Sequence, residues 1–178
     1  MKSLLSTVLV ILLASASSLW SQTAPQPRKP SPELQKEADY FVGNWKFTGE
    51  TKPGPFGPGG QKFDASERLE WLPGGFFLMA RSYEGERWSG LTIIGYDEDK
   101  KVFTHTSYTS TGKVEVMTGT AQGDTEFWTG DVTVRGAPAK QRFTIKKVTP
   151  TLYTFKFEIA RESNNWALVY EGQAVKTP

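Results

Sequence analysis

Hydrophobic and polar residues alternate with a period of two over most of the chain after Asn44. The clearest example is the segment at 152–159, in which Tyr153, Phe155 and Phe157 alternate with threonine, lysine and glutamate. This alternation is typical of a β-strand that buries one face. About ten such segments follow one another, and the links between them are short and rich in turn-forming residues. The pattern predicts an all-β fold, an antiparallel up-and-down barrel of about ten strands.

One short helix is predicted in front of the strands. Ser31 is a suitable N-cap, and Pro32 stands at the first helical position. Leu34, Ala38 and Phe41 then recur at helical spacing, which gives the helix an apolar stripe. We expect this stripe to lie against the sheet, within a single domain that covers residues 31–178.

The residues before this domain are predicted to be a signal peptide and a linker. Lys2, an apolar run at 4–13 and small residues at 14–18 are typical of a signal peptide, which we assign to residues 1–24. Residues 25–30 form a Pro-containing linker. The apolar run is shorter than the roughly 20 residues that a membrane-spanning helix needs. We therefore expect an exported protein, periplasmic or secreted, with no membrane span once the signal is cleaved; the alternative is an uncleaved N-terminal anchor.

The composition excludes several classes of function. The chain has no cysteine, one histidine, and 21 basic against 19 acidic side chains. The lack of cysteine rules out disulfides, a lipid-anchored cysteine and thiol chemistry. The nearly balanced and interspersed charges give no nucleic-acid-binding patch. One histidine without cysteine cannot assemble a zinc site of the usual ligands. We expect neither a nucleic-acid partner nor a metal.

The hairpin predicted around Pro-Gly-Gly at 73–75 gives the sharpest site hypothesis. If these three residues are the loop, Glu67 lies directly opposite Arg81 on the inner face of the barrel. A buried charge needs a partner, and a planar guanidinium binds a carboxylate through two hydrogen bonds. We therefore expect Glu67 and Arg81 either to form a structural bridge or to anchor an acidic ligand. A loop one residue longer would break this pairing.

The other candidate ligand contacts are mostly apolar side chains on the predicted inner face, namely Trp71, Phe77, Met79, Tyr83, Phe155 and Phe157. Two further aromatic residues receive different roles. Trp45 is expected to plug the closed end of the barrel. Phe56 belongs to the Pro- and Gly-rich link at 52–60 and is expected to act as a lid over the open mouth, unless this link is a passive connection.

We predict a protein without enzymatic activity. The sequence contains no Gly-x-Ser-x-Gly motif. Glu67 and Glu70 lie an odd number of residues apart on one strand, so they point to opposite faces and do not flank a glycosidic bond together. His105 shares a strand face with Phe103 and is a candidate axial ligand for a haem, although a hydrogen-bonded structural histidine is the stronger interpretation. No other cofactor is predicted.

Six sequence motifs together resemble those of one bacterial family. They are Phe-Val-Gly-Asn-Trp at 41–45, the Pro/Gly-rich segment at 52–60, Glu-Trp-Leu-Pro-Gly-Gly-Phe-Phe-Leu at 70–78, Ile-Gly-Tyr-Asp at 94–97, Gly-Thr-Ala at 119–121 and Arg-Phe-Thr at 142–144. Over residues 30–176 the chain resembles the exported proteins known as domain of unknown function 1579. The resemblance implies a barrel similar to the lipocalin-like, calycin and nitrobindin-like proteins, which hold hydrophobic ligands or haem in the lumen. It supplies no catalytic residues.

These observations lead to one expected function and two alternatives. We expect an exported, non-catalytic, lipocalin-like barrel that binds a small hydrophobic or amphipathic ligand, including an acidic one, in its lumen. The first alternative is a scaffold without a ligand, which acts through its outer surface in the cell envelope. The second is a haem-binding barrel that uses His105. A solidly packed lumen favours the scaffold, whereas a cavity of a few hundred Å3 favours the carrier.

Overall fold

The computed structural model of the protein describes residues 29–161 and 165–178. The assigned signal peptide, residues 1–24, and most of the linker lie outside the described residues. No helix within the described ranges has the length and apolar character needed to cross a membrane.

A single α-helix, α1 (Pro32–Phe41), precedes the strands. The Ser31 hydroxyl accepts a hydrogen bond from the Leu34 N–H at 3.0 Å and so caps the first turn, as predicted. The buried face of α1 carries Leu34, Ala38 and Phe41, together with one charged residue, Glu37. The face of the helix that packs on the barrel is therefore an apolar stripe with one carboxyl group.

Ten antiparallel strands close into a barrel in which each strand pairs with its neighbours in sequence and β1 pairs with β10. This confirms the predicted all-β up-and-down architecture. The strands are β1 (Gly43–Thr51), β2 (Lys62–Trp71), β3 (Leu78–Glu84), β4 (Arg87–Asp97), β5 (Val102–Thr109), β6 (Val114–Gln122), β7 (Thr125–Val134), β8 (Ala137–Thr149), β9 (Leu152–Ala160) and β10 (Ala167–Thr177).

The helix covers one end of the barrel. Its apolar face packs against Leu78 and Phe103, which stand at the ends of β3 and β5 nearest to it. Trp45 follows the helix directly, is 1% exposed, and donates a hydrogen bond from Nε1 to the Phe41 carbonyl oxygen at 2.7 Å. Its ring lies 4.8 Å from that of Tyr153, centroid to centroid. The aromatic layer beneath α1 thus closes this end of the lumen.

The predicted register of the β2–β3 hairpin is wrong by one residue. Trp71 pairs with Leu78, not with Phe77, and Glu67 pairs with Ser82, not with Arg81. The loop has four residues, 73–76, because the Leu72 N–H donates to the Phe77 carbonyl oxygen at 2.9 Å. Its two glycines both adopt positive φ, 97° and 74°, which this wider turn requires. A shift of one residue moves every side chain of β3 to the other face.

The shift places several predicted ligand contacts outside the barrel. Leu78 and Ala80 are buried in the core, so Met79, Arg81 and Tyr83 alternate onto the outer face. Phe77 is 47% exposed and lies against Gly95. The predictions that Arg81, Phe77, Met79 and Tyr83 face the lumen were therefore wrong.

Candidate functional site

The barrel encloses a cavity of about 460 Å3 between the layer beneath α1 and the opposite mouth. All ten strands and α1 contribute side chains to its wall, and this volume lies in the range typical of small-molecule sites. Most of the wall is apolar, and its aromatic members include Phe47, Phe103, Trp128, Phe143, Phe157 and Tyr170. The lumen is therefore neither packed solid nor wide enough for a water-filled channel.

Glycines in the strands let large rings lie flat against the inner wall. The Trp128 ring occupies the space where a Cβ of Gly119 would stand, with atoms at 2.6 Å from that position. The tip of the Phe155 ring fills the Cβ position of Gly172, at 2.7 Å, in the aromatic core next to the cavity. Because the Trp128 ring rests on the backbone of the neighbouring strand, it covers the wall without filling the centre.

Glu67 is a carboxyl on the cavity wall without a basic partner. Its Oε2 accepts a hydrogen bond from the Ser82 hydroxyl at 2.7 Å, and no basic side chain of the described residues forms an ion pair with it. Burial raises the pKa of Glu67, and the hydrogen bond from Ser82 opposes this only in part. A carboxyl held away from water with one hydroxyl contact is typical of a site that a ligand completes.

A cluster of one lysine and two glutamates joins helix α1 to the barrel wall. Lys147 forms an ion pair with Glu37 of α1, and its Nζ lies 3.1 Å from Glu126 Oε1 on β7. Glu126 Oε2 accepts a hydrogen bond from Trp128 Nε1 at 3.0 Å. Burial, together with the neighbouring carboxyl of Glu37, raises the pKa of Glu126 to about 8, although Lys147 opposes the shift. At neutral pH, Glu126 therefore holds a proton that it would release in water.

Two buried nitrogen atoms on the wall lack hydrogen-bond partners within the part of the chain that the structure describes. Gln141 is 2% exposed, and its Nε2 has no partner. The Nδ1 of His105 is also buried without one, and burial lowers the pKa of His105 to about 4. His105 is therefore neutral near pH 7, with its ring edge-on to Trp128 at 5.6 Å. Unpaired polar atoms of this kind are costly in a closed interior, and a bound ligand would pair them.

His105 fits the role of a haem ligand poorly. A histidine that holds a metal normally donates its other ring N–H to a carboxylate or a carbonyl oxygen, and Nδ1 makes no such contact to a described residue. The wall around it also carries the carboxyls of Glu67 and Glu115, which have no basic partner among the described residues and disfavour the two propionates of a haem. The described residues contain no cluster of three or more acidic or histidine side chains placed to hold a metal ion.

Of the residues predicted to contact a ligand, Glu67 and Phe157 line the cavity. Phe155 is buried in the aromatic core and lies outside the cavity wall. Trp71 points inwards but packs among the side chains under α1. The expected bridge between Glu67 and Arg81 does not form, because Arg81 pairs with Glu70 on the outer face.

Phe56 lies at the end of the barrel opposite α1, in the link between β1 and β2. Its carbonyl oxygen accepts a hydrogen bond from Arg135 Nη2 in the β7–β8 turn, at 3.5 Å. The guanidinium of Arg161, at the end of β9, lies 5.6 Å from the centre of its ring. The link therefore reaches across this end to strands that are not its neighbours, although Phe56 itself is not part of the cavity wall.

Five polar residues of the site were not predicted from the sequence, namely Glu37, Glu115, Glu126, Lys147 and Gln141. The signal was present, because each is a polar residue at an inward position of an otherwise apolar stripe. Glu37 stands within the helical stripe of α1, and Lys147 follows Phe143 and Ile145 at a period of two. Polar residues are uncommon at core positions. Here they line the cavity or belong to the helix–wall cluster, which consists of Glu37, Lys147 and Glu126.

Replacing Arg81 with alanine is expected to leave lumen binding unchanged and to lower the free energy of unfolding by less than about 1 kcal/mol. The Arg81 side chain is 41% exposed, and its ion pair with Glu70 is outside the barrel. Denaturant unfolding and probe titration of the Arg81→Ala variant measure both quantities. A large loss of affinity would show that Arg81 reaches the lumen.

A larger depression, of about 610 Å3, lies on the outside of β1, β10, β9 and β8. Lysine, glutamate and threonine side chains rim it, including Lys62, Lys146 and Glu171. It is more open to solvent than the lumen and is rimmed by charged and hydroxyl side chains, so we assign the candidate site to the smaller, less open lumen.

The protein was also compared with known proteins. No curated protein matches the sequence. A solved structure, the crystal structure of Rv2717c from M. tuberculosis, is similar over 84% of this chain and 100% of its own, with a TM-score of 0.56 and 10% sequence identity. At this identity the likeness shows a shared fold alone. The model of the family described as protein of unknown function (DUF1579) matches residues 31–176. The chain therefore belongs to the DUF1579 family.

Proposed function

We propose that this protein is an exported, non-catalytic barrel that binds a small hydrophobic or amphipathic ligand in its lumen. The observation that carries the proposal is the enclosed cavity of about 460 Å3, which has aromatic walls and a few polar groups aimed into it. Pockets of this size and composition bury most of the surface of a small organic molecule.

The polar groups on the wall support a binding site over a solid core. Gln141 Nε2 and His105 Nδ1 are buried without partners, and Glu67 has one hydroxyl contact. A scaffold that needed only stability would gain from apolar residues at these positions. Their presence fits a lumen whose hydrogen bonds are completed by a ligand.

Binding is tested with N-phenyl-1-naphthylamine, a neutral probe whose fluorescence rises in apolar surroundings. We expect wild-type protein to bind it with one saturable site. Ile94→Trp should weaken this binding, because Ile94 lines the cavity and the larger ring takes up part of its space. Ile93→Trp is the matched control, since Ile93 is the adjacent residue and faces outwards.

Two outcomes would overturn the proposal. One is the absence of saturable binding by wild-type protein, and the other is equal binding by the Ile94→Trp and Ile93→Trp variants. If Ile94→Trp does not fold, Thr92→Phe takes its place, because Thr92 lines the same cavity one step along β4. Circular dichroism establishes whether each variant is folded.

Native mass spectrometry of the protein purified from its own host is the direct search for the natural ligand. A bound small molecule of constant mass is the expected result. A Soret band in the purified protein would instead identify the haem-binding alternative, and a protein free of any ligand in every preparation would favour the scaffold. Cell fractionation tests export, which we infer from the residues assigned to the signal peptide.

A further inference from the structure

Among the described residues, the lumen wall carries acidic side chains and no lysine or arginine. Four carboxyl side chains line the cavity, those of Glu37, Glu67, Glu115 and Glu126, whereas no lysine or arginine of the described residues does so. His105 adds no positive charge near neutral pH, because burial lowers its pKa to about 4. An anionic head group would therefore meet carboxylates and no cation anywhere on the described wall.

Two of the four carboxyls are already neutralised by the protein. Glu37 and Glu126 share Lys147, which lies beneath α1 and is 17% exposed. Glu67 and Glu115 have no basic partner among the described side chains. Glu67 and Glu115 stand on strands β2 and β6, which are not neighbours in the barrel, so both reach the cavity from different parts of the wall. Glu67 and Glu115 are thus the two cavity carboxyls that still lack a counter-ion and that a basic ligand could pair with.

The aromatic wall adds a second feature that favours a cation. Phe103, Trp128 and Phe143 present rings to the cavity, and ring faces attract ammonium groups, most strongly when water is excluded. A cavity wall that carries both a carboxylate and aromatic rings suits an alkylammonium ligand, since the carboxylate supplies the charge and the rings replace the water of the head group. A carboxylic acid or a neutral alcohol gains neither the ionic contact with the carboxylate nor the attraction to the ring faces.

We propose that the lumen selects amphipathic amines, with the ammonium head beside Glu67 and the hydrocarbon body along the aromatic wall. This inference rests on the proposed function and names its ligand class. Glu67 is the anchor because it has one hydroxyl contact, from Ser82, and lacks a salt bridge to any described residue. An incoming ammonium provides the missing counter-charge and favours the ionised form of the carboxyl. The sequence led us to include an acidic ligand, whereas we now propose a basic one.

The test compares ligands that share one hydrocarbon chain and differ only in the head group. Octylamine, octanol and octanoic acid each compete with N-phenyl-1-naphthylamine at pH 7.5. We expect octylamine to displace the probe at concentrations roughly 10- to 100-fold lower than octanoic acid, the ratio expected for one charge-assisted contact. Octanol should fall between the two.

Glu67→Gln tests the anchor with a side chain of the same shape. We expect this substitution to weaken the binding of octylamine about 10-fold or more and to leave the binding of octanol unchanged. Glu70→Gln is the matched control, because Glu70 lies on the same strand but pairs with Arg81 outside the barrel. It should leave all three ligands unchanged.

The outcomes separate this inference from the proposed function. If the probe binds but octanol or octanoic acid displaces it as well as octylamine, the amine selectivity is overturned and the lumen remains a binding site. If Glu67→Gln weakens all three ligands equally, Glu67 is structural and the anchor is overturned. If the probe does not bind wild-type protein at all, both proposals fail. The comparison of head groups on wild-type protein decides the selectivity even if the Glu67→Gln variant does not fold.

Discussion

Replacing Lys147 with methionine is expected to lower the free energy of unfolding by about 3–5 kcal/mol at pH 8. Lys147 is the one basic side chain of the described residues that pairs with either Glu37 or Glu126, and both carboxyls are buried. Its removal leaves them facing each other without a counter-charge between helix and wall. The loss should shrink at pH 5, because Glu126, whose pKa burial raises to about 8, is then protonated and no longer repels Glu37.

Denaturant unfolding at the two pH values measures this effect. Lys146→Met is the matched control, since Lys146 is the neighbouring residue on β8 and points to solvent. It should change stability by less than about 0.5 kcal/mol. A loss for Lys147→Met that is as small as that of the control would mean that the cluster does not hold the helix to the barrel.

Stability is expected to fall between pH 6.5 and 8 by about 1.4 kcal/mol for each pH unit. The pKa of Glu126 is raised from 4.5 to about 8, so over this range the folded protein holds a proton that the unfolded chain has released. Rising pH therefore favours unfolding. His105 acts in the opposite direction, because burial lowers its pKa from 6.5 to about 4. The unfolded chain binds this proton more tightly than the folded protein, so stability rises with pH from about 4 to about 6.5. Between pH 4.5 and 6.5 the two effects oppose each other.

Unfolding free energies measured at half-unit steps from pH 4.5 to 8.5 check this profile. Glu126→Gln should remove most of the fall above pH 6.5 and keep the hydrogen bond that Trp128 Nε1 donates, because the amide oxygen still accepts it. Glu67, whose pKa burial also raises, acts in the same direction as Glu126. Glu98→Gln, at an exposed turn, is the control. An unchanged profile in the Glu126→Gln variant would refute the assignment of this proton to Glu126.

The helix–wall cluster has a structural consequence for the lumen. Glu37 joins α1 to Lys147 on β8, and Lys147 in turn approaches Glu126 on β7. The same Glu37 and Glu126 line the cavity. The closed end of the barrel is therefore fixed by charged groups, and ligand exchange is expected at the other end, where the link that contains Phe56 lies.

Much of the fold could be predicted from the sequence, because strand alternation and turn residues are local signals. The helix start at Ser31, the ten strands and the up-and-down order follow from patterns that span a few residues each. The family membership agrees with motifs distributed over the same residues.

The register of the first hairpin could not be predicted in the same way. Two loops, of three or four residues, both fit Pro-Gly-Gly-Phe at 73–76, and the choice depends on one hydrogen bond between Leu72 and Phe77. That choice decides which face Arg81 occupies. A local ambiguity of one residue thus changed the predicted chemistry of the site from a paired acid and base to an unpaired acid.

The acidic character of the lumen arises from long-range contacts. Glu37 and Lys147 are 110 residues apart in sequence, and only closure of the barrel beneath α1 brings them together. Single polar residues such as Glu115 and Glu126 interrupt apolar stripes in the sequence, but their common cavity is visible only once all ten strands are in place. Local patterns identify inward positions and do not show which of them meet.

The most direct test of the central claim is a crystal structure of the protein grown with N-phenyl-1-naphthylamine. We expect electron density for the probe inside the barrel, between Ile94 and Phe143 and within contact of Trp128. Density confined to the outer surface, around exposed rings such as Phe77 and Trp88, with a lumen that holds no probe, would contradict it.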